Sequence, residues 1–133
     1  MADVPVLLVV DDQPGVRRLL ETVFSRAGFQ VLTAAEGAEA LELARSRPPD
    51  VALLDLRMPG LDGVETLRRL LELVPGLPVV LMTAVGEDQR LAEAMRLGAR
   101  EAVTKPFDVF RLLERVRILL AMQDSGPHPE KSG

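Results

Sequence analysis

Short apolar runs alternate along the chain with longer segments in which apolar residues recur every three or four positions. The short runs are rich in Val and Leu and end abruptly at polar or turn residues, which is typical of buried β-strands. They predict strands at residues 6–10, 29–33, 51–54, 78–82 and 102–104. The longer segments predict amphipathic helices at residues 14–27, 38–45, 61–73, 87–97 and 108–122.

The regular alternation of five strands with five helices predicts the fold class. Strands that each precede a helix form a parallel sheet with right-handed crossovers and helices on both faces. The near-continuous apolar runs at 7–10 and 79–81 fit strands that are buried on both sides. We therefore predict one α/β domain, a doubly wound five-stranded parallel sheet, at residues 1–122. The polar, Pro- and Gly-containing residues 123–133 are predicted to form a disordered tail.

Composition excludes several classes of function. The 133 residues contain no cysteine and one histidine, His128, so disulfides, thiolate catalysis and His- or Cys-ligated zinc are excluded or nearly so. The net charge is −4 and four phenylalanines are the only aromatic residues, which argues against direct nucleic-acid binding. No apolar run approaches the ~20 residues that span a membrane, and the first strand lacks the features of a signal peptide. We expect a cytoplasmic protein without membrane insertion.

Three predicted strands end in carboxylates or in a lysine. Asp11 and Asp12 follow the first strand, Asp55 follows the third, and Lys105 follows the fifth, while Thr83 follows the fourth. The carboxyl ends of parallel strands meet at one sheet edge, where ligands bind in such folds. Clustered carboxylates repel one another, and oxygen ligands suit a hard divalent cation such as Mg²⁺. The alternative for Asp11 and Asp12 alone is a turn and capping role before the first helix.

Lys105 stands out because residues 1–122 otherwise use only arginine as their basic residue. Residues 1–122 contain fourteen arginines and this single lysine. A compact ammonium acts as a point charge toward phosphate or carboxylate, whereas the planar guanidinium has a different geometry. A chance surface lysine is the alternative at this one position.

Together these segments resemble the receiver domain of two-component response regulators. The resemblance rests on VVDD at 9–12, LLDLRMPGLDG at 53–63, MTA at 82–84 and KPF at 105–107, in this order and at this spacing, and it covers about residues 6–122. It implies the flavodoxin-like, CheY-like (βα)5 fold with strand order 2-1-3-4-5. It also implies a protein that accepts a phosphoryl group from a donor and loses it slowly, without being a turnover enzyme.

The resemblance assigns roles to individual residues. Asp55 would accept a phosphoryl group from the phosphohistidine of a sensor histidine kinase or histidine phosphotransferase. Mg²⁺ would be held by Asp11, Asp12, Asp55 and the backbone carbonyl of Arg57. Thr83 and Lys105 would bind the phosphoryl oxygens.

Within the family, the chain most resembles the single-domain receivers of sporulation phosphorelays, which act as phosphotransfer intermediates. The first helix and the loop after the lysine dock a four-helix-bundle phosphotransferase in those proteins. The matching positions are Gln13, Gly15, Val16, Leu19, Pro106 and Phe107. A monomer or weak dimer is expected.

One position departs from the family pattern. Ala102 stands three residues before the lysine, where receivers usually carry an aromatic residue or histidine, so an aromatic rotor cannot transmit the signal.

Three alternative functions stay open. The chain could be the receiver of a truncated DNA-binding regulator. A metal-dependent aspartyl phosphohydrolase of the haloacid-dehalogenase type would need a general acid where Arg57 stands. A nucleotide or flavin module would need a Gly- or Ser/Thr-rich loop where Asp11 and Asp12 stand.

Overall fold

The computed structural model describes residues 4–58 and 60–125 and contains five strands and five helices in strict alternation. The strands are β1 (Val6–Val10), β2 (Gln30–Ala34), β3 (Val51–Asp55), β4 (Val79–Thr83) and β5 (Glu101–Thr104). The helices are α1 (Pro14–Arg26), α2 (Gly37–Ser46), α3 (Gly63–Leu73), α4 (Asp88–Leu97) and α5 (Val109–Ser125). Every predicted element is present, with ends displaced by a few residues.

All strand pairs are parallel, and the sheet has the order β2-β1-β3-β4-β5. This confirms the predicted doubly wound fold and its 2-1-3-4-5 order. The register pairs Val10 with Leu54 and Thr83 with Thr104, so the carboxyl ends of neighbouring strands lie at the same edge. The loops that follow β1, β3, β4 and β5 therefore surround one region of the surface.

Alternate residues of the central strands contribute to two cores, one on each face of the sheet. Leu8 and Val10 pack in the core that includes residues of α2, α3 and α4. Leu7 and Val9 pack with residues of α1 and α5. Helices on both faces bury the three central strands completely, which explains why β1, β3 and β4 are apolar without a polar alternation.

The C-terminal boundary differs from the prediction. Helix α5 continues through Ser125, so the predicted tail is wrong for residues 123–125, and residues 126–133 lie outside the described residues. Gln123 accepts a hydrogen bond from Nη2 of Arg100 at 3.3 Å and donates one to the carbonyl of Gly76 at 3.4 Å. These contacts hold the last turn against the body of the domain. Within the described part of the chain, no helix is long and apolar enough to cross a membrane.

Candidate functional site

Three carboxylates meet at the carboxyl ends of β1 and β3. Asp11 and Asp12 follow β1 directly, and Asp55 is the last residue of β3. One oxygen from each carboxylate lies within 4.8 Å of the others. Asp11 and Asp55 are buried while Asp12 is exposed, so the cluster opens toward solvent on one side. The sheet thus brings together the three residues that the strand ends predict.

Local backbone turns orient the two buried carboxylates. Oδ1 of Asp11 accepts from the backbone N–H of Gln13 at 2.9 Å, and Oδ1 of Asp55 accepts from that of Arg57 at 3.1 Å. Each carboxylate bonds the N–H two residues ahead, which is a common turn pattern for Asp. Nη1 of Arg17 also donates to the carbonyl of Asp11 at 2.7 Å. One oxygen of each carboxylate is therefore fixed by the chain, and the other faces its neighbours.

Lys105 neutralises part of this charge. Its Nζ lies 2.7 Å from Oδ2 of Asp11, 3.3 Å from Oδ2 of Asp55 and 2.7 Å from Oε1 of Gln13. The backbone N–H of Lys105 donates to the carbonyl of Thr83 at 2.7 Å, which places the lysine by extending the pairing of β5 with β4. The following Lys105–Pro106 peptide bond is cis. The single lysine of the domain is thus the counterion of the acidic cluster.

Burial and neighbouring charges shift the pKa values of Asp55 and Lys105. Burial raises the pKa of Asp55 above its ordinary value and Asp11 adds to this, although the Arg57 N–H and the Lys105 ammonium oppose it. Burial alone would lower the pKa of Lys105, but the hydrogen bond and attraction of Asp11, and then those of Asp55, outweigh it and raise that pKa. Without a bound cation, the ionised Asp55 is therefore destabilised in the folded protein relative to the unfolded chain.

Asp55→Asn is therefore expected to unfold at a higher denaturant concentration than the wild type at pH 7 in the absence of divalent metal. A folded-state pKa above the ordinary 3.8 means that wild-type stability falls as the pH rises through that window, whereas asparagine does not ionise. The advantage of the variant should shrink as the pH falls toward 3.8. Urea unfolding of the wild type and the variant at pH 7 and near pH 3.8 measures this difference in stability. A stability advantage of Asp55→Asn that persists or grows in acid would contradict a raised pKa of Asp55.

The Asp55 carboxylate faces an open cleft of about 610 Å³. The cleft is lined by Asp12, Gln13, Asp55, Arg57, Met58, Ala84, Glu87 and Lys105. Asp12 and Asp55 of this lining, together with the adjacent buried Asp11, place three carboxylate oxygens close enough together to bind one small cation. Carboxylate oxygens are hard ligands, so the residues present fit Mg²⁺. Arg57, whose carbonyl was predicted as a further ligand, lines the same cleft.

Thr83 is placed at the site but is not engaged with it. The residue ends β4 and is buried, and its hydroxyl donates to the carbonyl of Val103 on β5 at 3.4 Å. The predicted role toward an anion therefore requires this hydroxyl to exchange the Val103 carbonyl for a new acceptor.

The predicted docking residues form a groove beside the cleft. It has a volume of about 380 Å³ and is lined by Gln13, Val16, Leu19, Lys105, Pro106 and Phe107. Gly15 lies in the first turn of α1 but does not line the groove. Gln13 and Lys105 border both the groove and the Asp55 cleft, so the two features are continuous.

Sequence reasoning missed Glu87 and Arg90. Glu87 is buried in the cleft wall, its Oε1 accepts from the N–H of Ala84 at 3.1 Å, and its Oε2 lies 3.2 Å from Nε of Arg57. Nη1 of Arg90 donates to the carbonyl of Leu56 at 3.1 Å. A glutamate between Gly86 and Asp88 at a helix start reads as an exposed residue of the first turn, so the sequence carried no signal of its burial.

Comparison with known proteins agrees with this geometry. Residues 7–117 match the model of the response regulator receiver domain family. The chain is 39% identical over 119 residues to sporulation initiation phosphotransferase F of Bacillus subtilis, covering 90% of this chain and 96% of that protein. It is 42% identical over 117 residues to the regulatory protein AtoC of Escherichia coli, covering 88% of this chain but 25% of AtoC.

A solved structure supports the same assignment. The receiver domain of NtrX from Brucella abortus superimposes with a TM-score of 0.81 at 32% identity, covering 86% of this chain and 98% of that domain. Three findings agree with one another: the order of the strands, the acidic cluster with its lysine, and the sequence matches. Together they disfavour the phosphohydrolase and nucleotide-binding alternatives. The chain belongs to the response regulator receiver domain family of two-component signalling systems.

Proposed function

We propose that Asp55 is the phosphoacceptor of this receiver and takes its phosphoryl group from a phosphohistidine of a histidine kinase or histidine phosphotransferase. The observation that carries the proposal is the position of the Asp55 carboxylate at an open cleft, with Oδ2 at 3.3 Å from Nζ of Lys105 and two further carboxylates beside it. Such a site offers a carboxylate nucleophile, a fixed lysine ammonium and room for a phosphoryl donor.

The transfer is a substitution at phosphorus. An oxygen of ionised Asp55 attacks the phosphorus atom, the P–N bond to the donor imidazole breaks, and its electron pair stays on the imidazole nitrogen. The product is an acyl phosphate on Asp55. Lys105 donates to the oxygens that carry the arriving charge, since its ammonium already lies between Asp11 and Asp55.

Asp11, Asp12, Asp55 and the carbonyl of Arg57 would hold Mg²⁺ in the same cleft. A bound Mg²⁺ offsets negative charge on the carboxylates and on the transferred group. The buried Asp11 serves a second purpose, because its Oδ2 orients the Lys105 ammonium at 2.7 Å. The Thr83 hydroxyl then leaves the Val103 carbonyl and donates to a phosphoryl oxygen.

The apolar groove beside the cleft is the proposed docking surface for the donor. The groove is lined by Gln13, Val16, Leu19, Pro106 and Phe107, and Lys105 connects it to the Asp55 cleft. Gly15, in the first turn of α1 between Gln13 and Val16, is the sixth proposed docking position. A helix-bundle phosphotransferase seated there would present its phosphohistidine to the cleft. We further propose that the domain acts in the cytoplasm as a monomer or weak dimer, and that it loses the phosphoryl group only slowly, so that it serves as a signalling intermediate and not as a turnover enzyme.

Acetyl phosphate and Mg²⁺ are expected to add one phosphoryl group to the protein, as measured by intact mass spectrometry. The added mass should disappear after treatment with hydroxylamine, which cleaves acyl phosphates but not phosphate esters of serine or threonine. Chelation of the metal with EDTA should suppress the reaction, because three neighbouring carboxylates repel the incoming group. An adduct that forms equally well with EDTA, or that resists hydroxylamine, would contradict the proposal.

A further inference from the structure

Glu87 is a buried carboxylate that the phosphotransfer chemistry does not use. Its side chain is 3% exposed, whereas the side chain of its ion-pair partner Arg57 is 73% exposed. Although Glu87 immediately precedes α4, its side chain makes no capping hydrogen bond to that helix. Instead it turns back to the loop after β4 and accepts the N–H of Ala84.

The two oxygens of Glu87 are unequally satisfied. Oε1 has a hydrogen bond to Ala84, whereas Oε2 lies 3.2 Å from Nε of Arg57 without the geometry of a hydrogen bond. A buried carboxylate with one hydrogen bond and one off-axis ion pair is poorly compensated for its lost hydration. Glu87 is therefore held in the cleft wall by contacts that a stronger competitor can replace.

The groups that bind Glu87 line the cleft that Asp55 faces. Ala84, Arg57 and Glu87 are all part of its wall, together with Lys105. A phosphoryl group adds a charge of about −1.5 to −2 and three acceptor oxygens, which need donors. The donors at hand include the Lys105 ammonium, the Ala84 N–H and the Arg57 guanidinium, and Glu87 already engages the last two.

We propose that Glu87 is an internal competitor of the phosphoryl group, and that phosphorylation displaces its carboxylate from Ala84 and Arg57. This inference rests on the proposed function of Asp55 as phosphoacceptor. In the unmodified protein Glu87 occupies donors that the phosphoryl oxygens would use. In the phosphorylated protein those donors turn to the phosphoryl group, and like-charge repulsion drives Glu87 out of the cleft wall.

Displacement of Glu87 gives a route for the signal that does not require an aromatic residue at position 102. The carbonyl of Glu87 accepts from the N–H of Leu91 at 2.9 Å and so begins α4, while Arg90 ties the same turn to the carbonyl of Leu56 at 3.1 Å. Movement of Glu87 therefore acts directly on the first turn of α4 and on the adjacent loop, where Val85 is 90% exposed. A partner can read this surface next to the site.

The test is the affinity of the metal-loaded protein for beryllofluoride, which forms a phosphoryl-like adduct with an aspartate. Glu87→Gln keeps the shape of the side chain but removes its charge, so it competes less well for both donors. Its apparent affinity for beryllofluoride should be about fivefold to tenfold higher than that of the wild type. Glu93→Gln is the control: Glu93 is an exposed residue of α4, so this variant removes the same charge outside the cleft. It should change the affinity for beryllofluoride by less than about twofold.

NMR separates displacement from a general effect of charge. In the wild type, beryllofluoride should shift the side-chain carboxyl carbon of Glu87 and the amide of Ala84 together, as their hydrogen bond breaks. An adduct that leaves the Glu87 carboxyl signal in place would overturn the inference even if Glu87→Gln binds more tightly. The same signals report whether Glu87→Gln is folded.

Different outcomes test the role of Glu87 and the role of Asp55 as phosphoacceptor. If the wild type binds beryllofluoride and Asp55→Asn does not, while Glu87→Gln binds it with unchanged affinity, the role of Glu87 is overturned and the proposed function stays intact. Wild-type protein that does not bind beryllofluoride in the presence of Mg²⁺ would overturn both.

Discussion

Replacement of Asp55 by asparagine is expected to slow phosphorylation by more than about a thousandfold, which is the scale on which loss of a nucleophile acts. The amide oxygen of asparagine is neutral and a poor nucleophile, so it cannot form the acyl phosphate. We do not expect the other carboxylates of the cluster to substitute for it. Asp11 is fully buried, and its two oxygens accept from the Gln13 N–H and the Lys105 ammonium. The Lys105 ammonium bonds Asp11, Gln13 and Asp55 but not Asp12.

The measurement is the rate of phosphoryl incorporation from acetyl phosphate with saturating Mg²⁺, followed by intact mass. Asp88→Asn is the matched control, because Asp88 is an exposed residue at the start of α4 and the substitution is chemically the same. It should react at the wild-type rate. If Asp55→Asn incorporated a phosphoryl group at a comparable rate, the nucleophile would have to be sought elsewhere in the chain.

The arrangement of the strand ends could be predicted from the sequence because it depends on topology alone. Five short apolar runs between helices specify a parallel sheet, and a parallel sheet brings Asp11, Asp55 and Lys105 to one edge whatever their rotamers. The ends of the helices were less predictable. Helix α5 continues past Met122 because Gln123 finds partners on Arg100 and Gly76, which are distant in sequence.

Side-chain direction could not be predicted, because it is decided by partners that meet only in the folded protein. The sequence predicts that Gln13 contacts a docking partner, yet its amide oxygen also accepts from Lys105 at 2.7 Å. The Thr83 hydroxyl donates to the carbonyl of Val103 on the neighbouring strand. Glu87 looked like an ordinary residue of a helix start and is instead buried at the cleft. The sequence thus predicted the cluster of Asp11, Asp12 and Asp55 and its lysine, while the contacts of Gln13, Thr83 and Glu87 emerged only from the structure.

Gly63→Ala is expected to destabilise the domain by about 3 kcal/mol or more, the range of severe overpacking. Gly63 is the first residue of α3 and lies against the backbone that follows β3, with its N–H donating to the carbonyl of Leu56 at 3.2 Å. A Cβ atom there would lie 2.5 Å from Cα of Leu56, 2.6 Å from its carbonyl oxygen and 2.8 Å from that of Asp55. These are backbone atoms, so the clash cannot be relieved by a side-chain rotation.

Gly15→Ala supplies the control for this prediction, since a Cβ at Gly15 meets nothing within 4 Å in the first turn of α1. Because alanine is the better helix former, that variant should be about 0.5–1 kcal/mol more stable than the wild type. Urea unfolding of the two variants at neutral pH measures both effects. Relief of the Gly63 clash would also push the start of α3 away from Asp55, so the fraction of Gly63→Ala that remains folded should accept phosphoryl groups more slowly. Equal stability of the two alanine variants would mean that α3 can move away from the end of β3 without cost, and that the Asp55 loop is not held by this close approach.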